Sequence, residues 1–150
     1  MSERDPVRMV DVSGKEMVQR TATATGRIVL RRETVEAVRT GTVRKGDPLA
    51  VAEVASIQAV KKTPDLIPLC HNLPIGSVDT SFTLGDTYID ARCTVTAVYR
   101  TGVEMEALTG VAVALLNIWD MVKYLEKDEE GQYPDARITD VKVKEKLKER

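Results

Sequence analysis

The sequence predicts an α+β fold in which helices pack on one face of an antiparallel sheet. First, residues 77–100 contain two runs of alternating apolar and polar side chains separated by Gly85-Asp86, which predicts a β-hairpin. Second, Asp47 followed by Pro48 is a typical helix start, and mostly small or apolar residues follow. Third, the residues between Thr101 and about Lys127 indicate one long apolar helix. Hairpins together with segregated helices favour this fold class.

The remaining boundaries follow from local signals. Gly41 and Pro64 are expected to end helices, and Thr101 with Glu104 has the form of a capping box. Residues 128–134 are predicted to be a polar loop, and residues 144–150 a solvated charged end. In chain order, the predicted elements are strands at Met9–Ser13 and at Gln19–Leu30 with an irregularity at Gly26, helices at Arg32–Arg39 and Pro48–Lys62, strands at Ser77–Leu84 and Thr87–Arg100, the long helix, and a strand at Ala136–Val143.

This order of elements predicts a ferredoxin-like arrangement within a single domain spanning residues 1–150. We expect flexible ends at residues 1–8 and 144–150. The sequence contains no internal repeat and no low-complexity linker that would mark a second domain.

Composition narrows the class of protein. Hydrophobic residues make up 43% and charged residues 30%, which is typical of a soluble globular domain. The net charge of −1 predicts no general attraction to nucleic acid or membranes, so a basic site must be local. The N-terminus lacks the apolar run of a secretory signal, and two cysteines do not make a disulfide framework. We therefore expect a cytoplasmic protein.

The segment Asp65–Pro74 is a candidate site wall because it is apolar, rich in proline and contains the single histidine, His71. Three prolines in or beside it predict that it is neither a helix nor a central strand. Cys70 and His71 supply only two adjacent ligands, whereas zinc requires about four, so we expect no metal and no cofactor. The alternative is a connector whose histidine has no special role.

The long helix carries the second candidate group. Residues 110–122 are apolar all round except Asn117 and Asp120, which predicts that this part of the helix is buried and partly covered by another subunit. The stretch is too short and too interrupted to be expected to span a bilayer. Lys123 lies one turn from Asp120, and Glu106 falls within about 40° of the same helix face. These charges could line one side of the helix as a site; the alternative is an internal ion pair. Lys45 precedes a helix N-terminus, a position that favours anions.

Five motifs resemble the MoaC family of molybdenum cofactor biosynthesis, in order and without large gaps from about residue 9 to about residue 143. They are MVDVSGK at 9–15, KGD at 45–47, DLIPLCH at 65–71, TGVEMEALT at 101–109 and DMVK at 120–123. The resemblance implies a ferredoxin-like subunit of a homohexamer built as a trimer of dimers. It also implies an enzyme, a lyase that converts a cyclised dihydro-GTP intermediate into cyclic pyranopterin monophosphate and releases pyrophosphate.

The resemblance also assigns roles to individual residues. It implies that Asp120, Lys45 and Lys123 are catalytic. Basic residues near the substrate phosphates align with Lys15 and Arg20. It implies substrate contacts by Leu69, Cys70, His71, Met105 and Glu106. The chain departs from the family in its C-terminal tail, which lacks glycines, so the resemblance leaves open whether the tail contributes a lysine to the site. The competing class is a non-catalytic nucleotide-binding sensor or assembly module with the same fold.

Overall fold

The structure is a computed structural model that describes residues 4–149, and it has a four-stranded antiparallel sheet in the order β2-β3-β1-β4. The predicted α+β class and ferredoxin-like topology are confirmed, with the helices packed against one face of the sheet. The elements are β1 Val18–Val29, α1 Arg32–Thr40, α2 Pro48–Lys61, α3 Thr63–Leu66, β2 Ile75–Leu84, β3 Tyr88–Tyr99, α4 Glu104–Glu126 and β4 Arg137–Glu149.

The core lies between the sheet and the helices α2 and α4. The alternating residues of β3 that the sequence predicts to share a face are all buried, as are Ala22, Ala24 and Ile28 of β1. Gly26 lets α4 approach the sheet closely, because a Cβ there would lie 2.8 Å from the Val111 side chain. The pairing of β1 with β4 shifts register at Gly26, which confirms the predicted irregularity.

Two predicted helix boundaries are confirmed by their hydrogen bonds. Asp47 is the N-cap of α2, and its carboxylate accepts a hydrogen bond from the backbone N–H of Leu49 at 3.0 Å. Gly41 follows α1 with φ of 73°, the left-handed conformation that glycine adopts without a steric penalty. The segment between α1 and α2, which contains Lys45, is therefore held at both ends by local chemistry.

The predicted strand at Met9–Ser13 is wrong. Asp11 accepts hydrogen bonds from the backbone N–H and the hydroxyl of Ser13, at 2.9 and 2.7 Å. The N–H of Lys15 donates to the carbonyl of Val12 at 3.0 Å, so the segment turns instead of pairing with the sheet. A short alternating pattern did not prevail over side-chain bonds to the local backbone.

The predicted capping box at Thr101 is also wrong. Helix α4 begins at Glu104 with Val103 as its N-cap, and no side chain caps it. The Glu104 carboxylate instead lies 2.8 Å from Nζ of Lys146, a residue of β4. A charged partner on a neighbouring strand has therefore replaced the local bond that the motif predicts.

Three further boundaries differ from prediction. The N–H of Gly85 donates to the carbonyl of Tyr88, so the hairpin turn is centred on Asp86-Thr87, one residue later than predicted. Helix α3 enters the proline-rich segment, because Pro64 in its first turn needs no hydrogen-bond donor. Strand β4 continues to Glu149, since an edge strand can pair through one backbone edge while its charged side chains stay exposed.

The predicted flexible ends fall partly on residues 1–3 and 150, which lie outside the described residues. The expectation that the long helix is too short for a bilayer needs correction, since Glu104–Glu126 is long and apolar enough by length and composition. Buried core helices pass the same criterion, and half of its most apolar stretch is buried inside this domain.

Candidate active site

A cavity of about 450 Å³ brings together six of the predicted site residues at the N-terminal end of α4. The wall residues Leu69, Cys70 and His71 come from the segment after α3, and Lys15 comes from the N-terminal turn. Met105 and Glu106 come from the first turn of α4. The motifs at 9–15, 65–71 and 101–109 are distant in sequence, yet they meet at this one cavity.

Glu106 is the most buried charged group of the cavity, with 3% of its surface exposed. Burial raises the pKa of its carboxyl, and the neighbouring charge of Glu104 adds to the rise. Burial, together with the charge of Glu106, also raises the pKa of the Cys70 thiol. Cys70 therefore remains a thiol and is suited to contact a ligand, not to attack it. Glu106 is suited to exchange a proton with one.

The N-terminal segment contributes positive charge to the cavity. Arg8 and Lys15 line it together with His71, so an anionic ligand would meet positive charge there. Hydrogen bonds from Ser13 hold the pKa of the Asp11 carboxyl below its usual range, and His71 contributes a smaller Coulombic effect. Arg8 was not predicted from the sequence, because no motif or spacing distinguishes it from the other exposed arginines.

The second group lies near the C-terminal end of α4, where Asp120 is held between two lysines. Nζ of Lys123 lies 3.2 Å from one carboxylate oxygen, and Nζ of Lys45 lies 3.4 Å from the other. Lys45 also donates to the backbone carbonyl of Asp120 at 3.1 Å. The hydrogen bonds from Lys123 and then Lys45 hold the pKa of the Asp120 carboxyl below its usual range.

The two groups do not meet within one chain. Glu106 and Asp120 are fourteen residues apart on a continuous helix, which separates them by about 21 Å along its axis. The two positions can share one face of the helix, as the sequence predicts, but they lie too far apart to touch the same small ligand within one subunit. The Asp120 side chain is also 59% exposed, so the desolvation expected from its apolar surroundings in sequence is absent in one copy.

Arg20 lies outside the cavity, in an adjoining cleft that it shares with Glu104 and Lys146. Its guanidinium donates to the backbone carbonyls of Tyr99 and Arg100, at 3.1 and 3.3 Å. The role of Arg20 near the phosphates stays a prediction. Lys146, from the C-terminal strand, also borders this cleft, and whether a tail lysine contributes to the site stays an open prediction.

Two residues that sequence reasoning missed hold the segment around Lys45. The backbone N–H of Arg44 donates to the Tyr124 hydroxyl at 2.7 Å. The Arg44 guanidinium also lies over the Tyr124 ring, 4.3 Å from its centroid. These residues are 80 positions apart, and no local pattern connects them.

Among residues 4–149, no group of three or more His, Cys, Asp or Glu side chains is placed to hold a metal ion. An exposed apolar groove does occur between α2 and α4, beside Asn117. Val54 of α2 is 58% exposed, and Leu116 of α4 is 57% exposed. Apolar side chains of this size on neighbouring helices form a surface that water solvates poorly.

The fold and the two charged groups define an α+β protein with a cavity suited to an anionic small molecule and, further along α4, a carboxylate paired with two lysines. The sequence model of the MoaC family matches residues 9–148, and the chain belongs to the MoaC family. It is similar to proteins named probable cyclic pyranopterin monophosphate synthase. It is 59% identical over 142 residues to the protein of that name from Thermococcus kodakarensis, and the matched region covers 95% of this chain and 91% of the relative.

Two further relatives with the same name are similar to this chain to the same degree. The protein from Pyrococcus abyssi is 60% identical over 142 residues, covering 95% of this chain and 89% of the relative. The protein from Methanosphaerula palustris is 59% identical over 144 residues, covering 96% and 94%. The likeness therefore spans both charged groups and nearly the whole of each chain.

Proposed function

We propose that this chain is a cyclic pyranopterin monophosphate synthase of molybdenum cofactor biosynthesis. As a lyase, it would convert a cyclised dihydro-GTP intermediate into cyclic pyranopterin monophosphate and release pyrophosphate. Family membership and relatives of that name support the assignment. The structural observation that carries it is Asp120 between Lys45 and Lys123, because these three residues lie in the two family motifs KGD and DMVK.

The proposed chemistry has two requirements. Rearranging the purine-derived ring requires proton transfers, which a carboxylate together with lysine ammonium groups can perform. Forming the cyclic phosphate requires a substrate hydroxyl to attack a phosphorus atom, lose its proton to a base and displace pyrophosphate. Cations around the phosphates favour that step, and we assign this role to His71, Lys15 and Arg20.

Substrate contacts by Leu69, Cys70, Met105 and Glu106 complete the proposal. They share one cavity, so a single ligand could touch all four. Glu106 stays protonated to a higher pH than an exposed glutamate, and it can therefore donate a hydrogen bond to a ring nitrogen or carbonyl.

We further propose a homohexamer, a trimer of dimers, with active sites shared between subunits. The separation of about 21 Å along α4 supports a shared site, since a second copy would have to supply the Lys45–Asp120–Lys123 group to the cavity. The exposed groove between α2 and α4 supports association through that face. A cytoplasmic location is part of this proposal, and the free thiols of Cys70 and Cys93 are consistent with it.

The test is to incubate the protein with the cyclised dihydro-GTP intermediate and to measure pyrophosphate together with oxidised, fluorescent pterin. Asp120→Asn and Lys123→Ala should each remove nearly all turnover, and the double variant should be little worse, because the pair acts as one unit. Lys127→Ala, which removes an exposed lysine one turn beyond Lys123, is the matched control and should keep full turnover.

Two other results would contradict the proposal. A nucleotide-binding sensor would return the intermediate unchanged, with no pyrophosphate. A purely structural pair would lower the melting temperature in the Asp120 and Lys123 variants while activity per folded protein stayed near that of the wild type. Losses that multiply in the double variant would assign the two residues to different steps.

A further inference from the structure

Lys45 lies in a segment that is exposed except at Val43, whose side chain packs in the core. The segment joins α1 to α2, and Gly46 within it has a φ of 121°, a conformation that few other residues adopt. The Gly46 N–H closes a local turn by donating to the carbonyl of Val43 at 3.2 Å. That turn shapes the segment but does not tie it to α4, where Asp120 lies.

Tyr124 supplies the missing connection. It lies one turn after Asp120 on α4, and its ring packs against the core, so its hydroxyl is held in a defined place. That hydroxyl accepts the backbone N–H of Arg44, the residue directly before Lys45, at 2.7 Å. The Arg44 guanidinium adds a cation–π contact with the same ring. Backbone and side chain of Arg44 are therefore both held by one tyrosine.

A lysine side chain has four rotatable bonds, so an ordered ammonium group requires an ordered backbone beneath it. With Arg44 held by Tyr124, the Lys45 ammonium reaches both the backbone carbonyl and the carboxylate of Asp120. Without that hold, the segment keeps the burial of Val43 in the core, its local turn and the N-cap at Asp47, but no backbone hydrogen bond ties it to α4 within residues 4–149.

We propose that Tyr124 is a positioning residue that fixes the Lys45 segment so that Lys45 faces Asp120 during turnover. The inference rests on the proposed function for its kinetic consequence and on contacts within the structure for its geometry. Tyr124 touches the backbone of Arg44 and not the reacting groups, so it acts through Lys45.

The test compares Tyr124→Phe, which removes only the hydroxyl, with Tyr133→Phe as the matched control. The Tyr133 ring packs edge-on against Trp119 at 5.3 Å, and its hydroxyl has no hydrogen-bond partner within residues 4–149. Loss of one neutral hydrogen bond predicts a fall in kcat of roughly three- to tenfold for Tyr124→Phe, with KM changed less than about twofold. The control should match the wild type.

A double-mutant cycle separates positioning from general stabilisation. In a Lys45→Ala background, Tyr124→Phe should cause no further loss, because there is no ammonium left to position. If the two losses multiply, or if Tyr124→Phe alone matches the wild type, the proposal is wrong.

A second readout does not depend on turnover. Asp120 faces two cations, Lys45 and Lys123, and their hydrogen bonds lower the pKa of its carboxyl. In Tyr124→Phe, NMR titration of carboxyl-labelled aspartate should show the pKa of Asp120 rising toward its value in Lys45→Ala. An unchanged Asp120 titration would overturn the positioning role. If the wild type converts no substrate, the proposed function fails, and this titration still decides the role of Tyr124.

Discussion

At the scale of single residues, Glu106 combines burial with an acidic group. Only 3% of the surface of Glu106 is exposed. Desolvation is the largest effect on the pKa of its carboxyl, and it favours the neutral form. Its pKa is therefore higher in the folded than in the unfolded protein, where it is close to the ordinary value of 4.5. The folded protein binds the proton of Glu106 more tightly than the unfolded chain does.

This difference predicts how stability depends on pH. Below pH 4.5 the Glu106 carboxyl is neutral in both states, and its contribution to folding is fully present. As the pH rises through the folded pKa that contribution is lost, because only the unfolded chain can ionise freely. The glutamine of Glu106→Gln cannot ionise, so we expect this variant to be more stable than the wild type at pH 7, with the difference in the free energy of unfolding closing toward pH 4.

The measurement is urea unfolding at several pH values and one protein concentration. Glu129→Gln, at an exposed loop position, is the control and should follow the wild type at every pH. Parallel curves for Glu106→Gln and the wild type would show that Glu106 has no raised pKa in the folded protein.

At the scale of elements, α1 is capped by a residue of α4. The N-cap position of α1 is Arg31, which has no side-chain acceptor for the free N–H groups of the first turn. Glu126, 2% exposed at the end of α4, accepts the Arg31 N–H at 3.0 Å and also the Thr34 hydroxyl. The contact fixes the start of α1 against the end of α4.

This contact predicts that Glu126→Ala destabilises the protein. The substitution leaves a partly buried N–H and a buried hydroxyl without an acceptor, so we expect a loss of about 1–3 kcal/mol in the free energy of unfolding. Glu126→Gln keeps one carbonyl acceptor and should lose less. Urea denaturation measures both, with the exposed Glu130→Ala as control; equal stability of Glu126→Ala and the control would contradict the capping role.

At the scale of the whole molecule, the two charged groups lie at opposite ends of one helix. The cavity around His71 and Glu106 lies at the N-terminal end of α4, and Asp120 lies between its lysines about 21 Å further along the helix axis. If both belong to one active site, each site must take one group from each of two copies. An isologous dimer would then form two equivalent sites.

Complementation between inactive variants tests this arrangement. His71→Ala and Asp120→Asn should each be inactive alone, but subunits mixed by co-expression should regain about one quarter of the wild-type sites, because random pairing leaves that share with both groups intact. A mixture of Asp120→Asn with Lys123→Ala, which alters one group only, should regain nothing. No recovery in the first mixture, or a monomeric mass by light scattering at micromolar concentration, would contradict a shared site.

Much of the fold could be predicted because it depends on local rules. The alternation in β3, the Asp47-Pro48 helix start and the Gly41 helix end follow from side-chain period and backbone sterics, and the structure retains all three. Local rules failed at residues 9–13, where hydrogen bonds from Ser13 to Asp11 form a turn, and at Thr101, where Glu104 pairs with Lys146 of β4.

The sequence by itself determined the fold class, the family and the residue types that the site requires, because each is carried by contiguous motifs. Only the tertiary structure decided which of them meet. Lys45 reaches Asp120 across 75 residues, and Tyr124 holds Arg44 across 80, by contacts that exist only once α4 has packed beside the α1–α2 segment. The tertiary structure also decides the distance between Glu106 and Asp120. The two residues share a helix face, but a continuous helix separates them by about 1.5 Å along its axis for each residue between them.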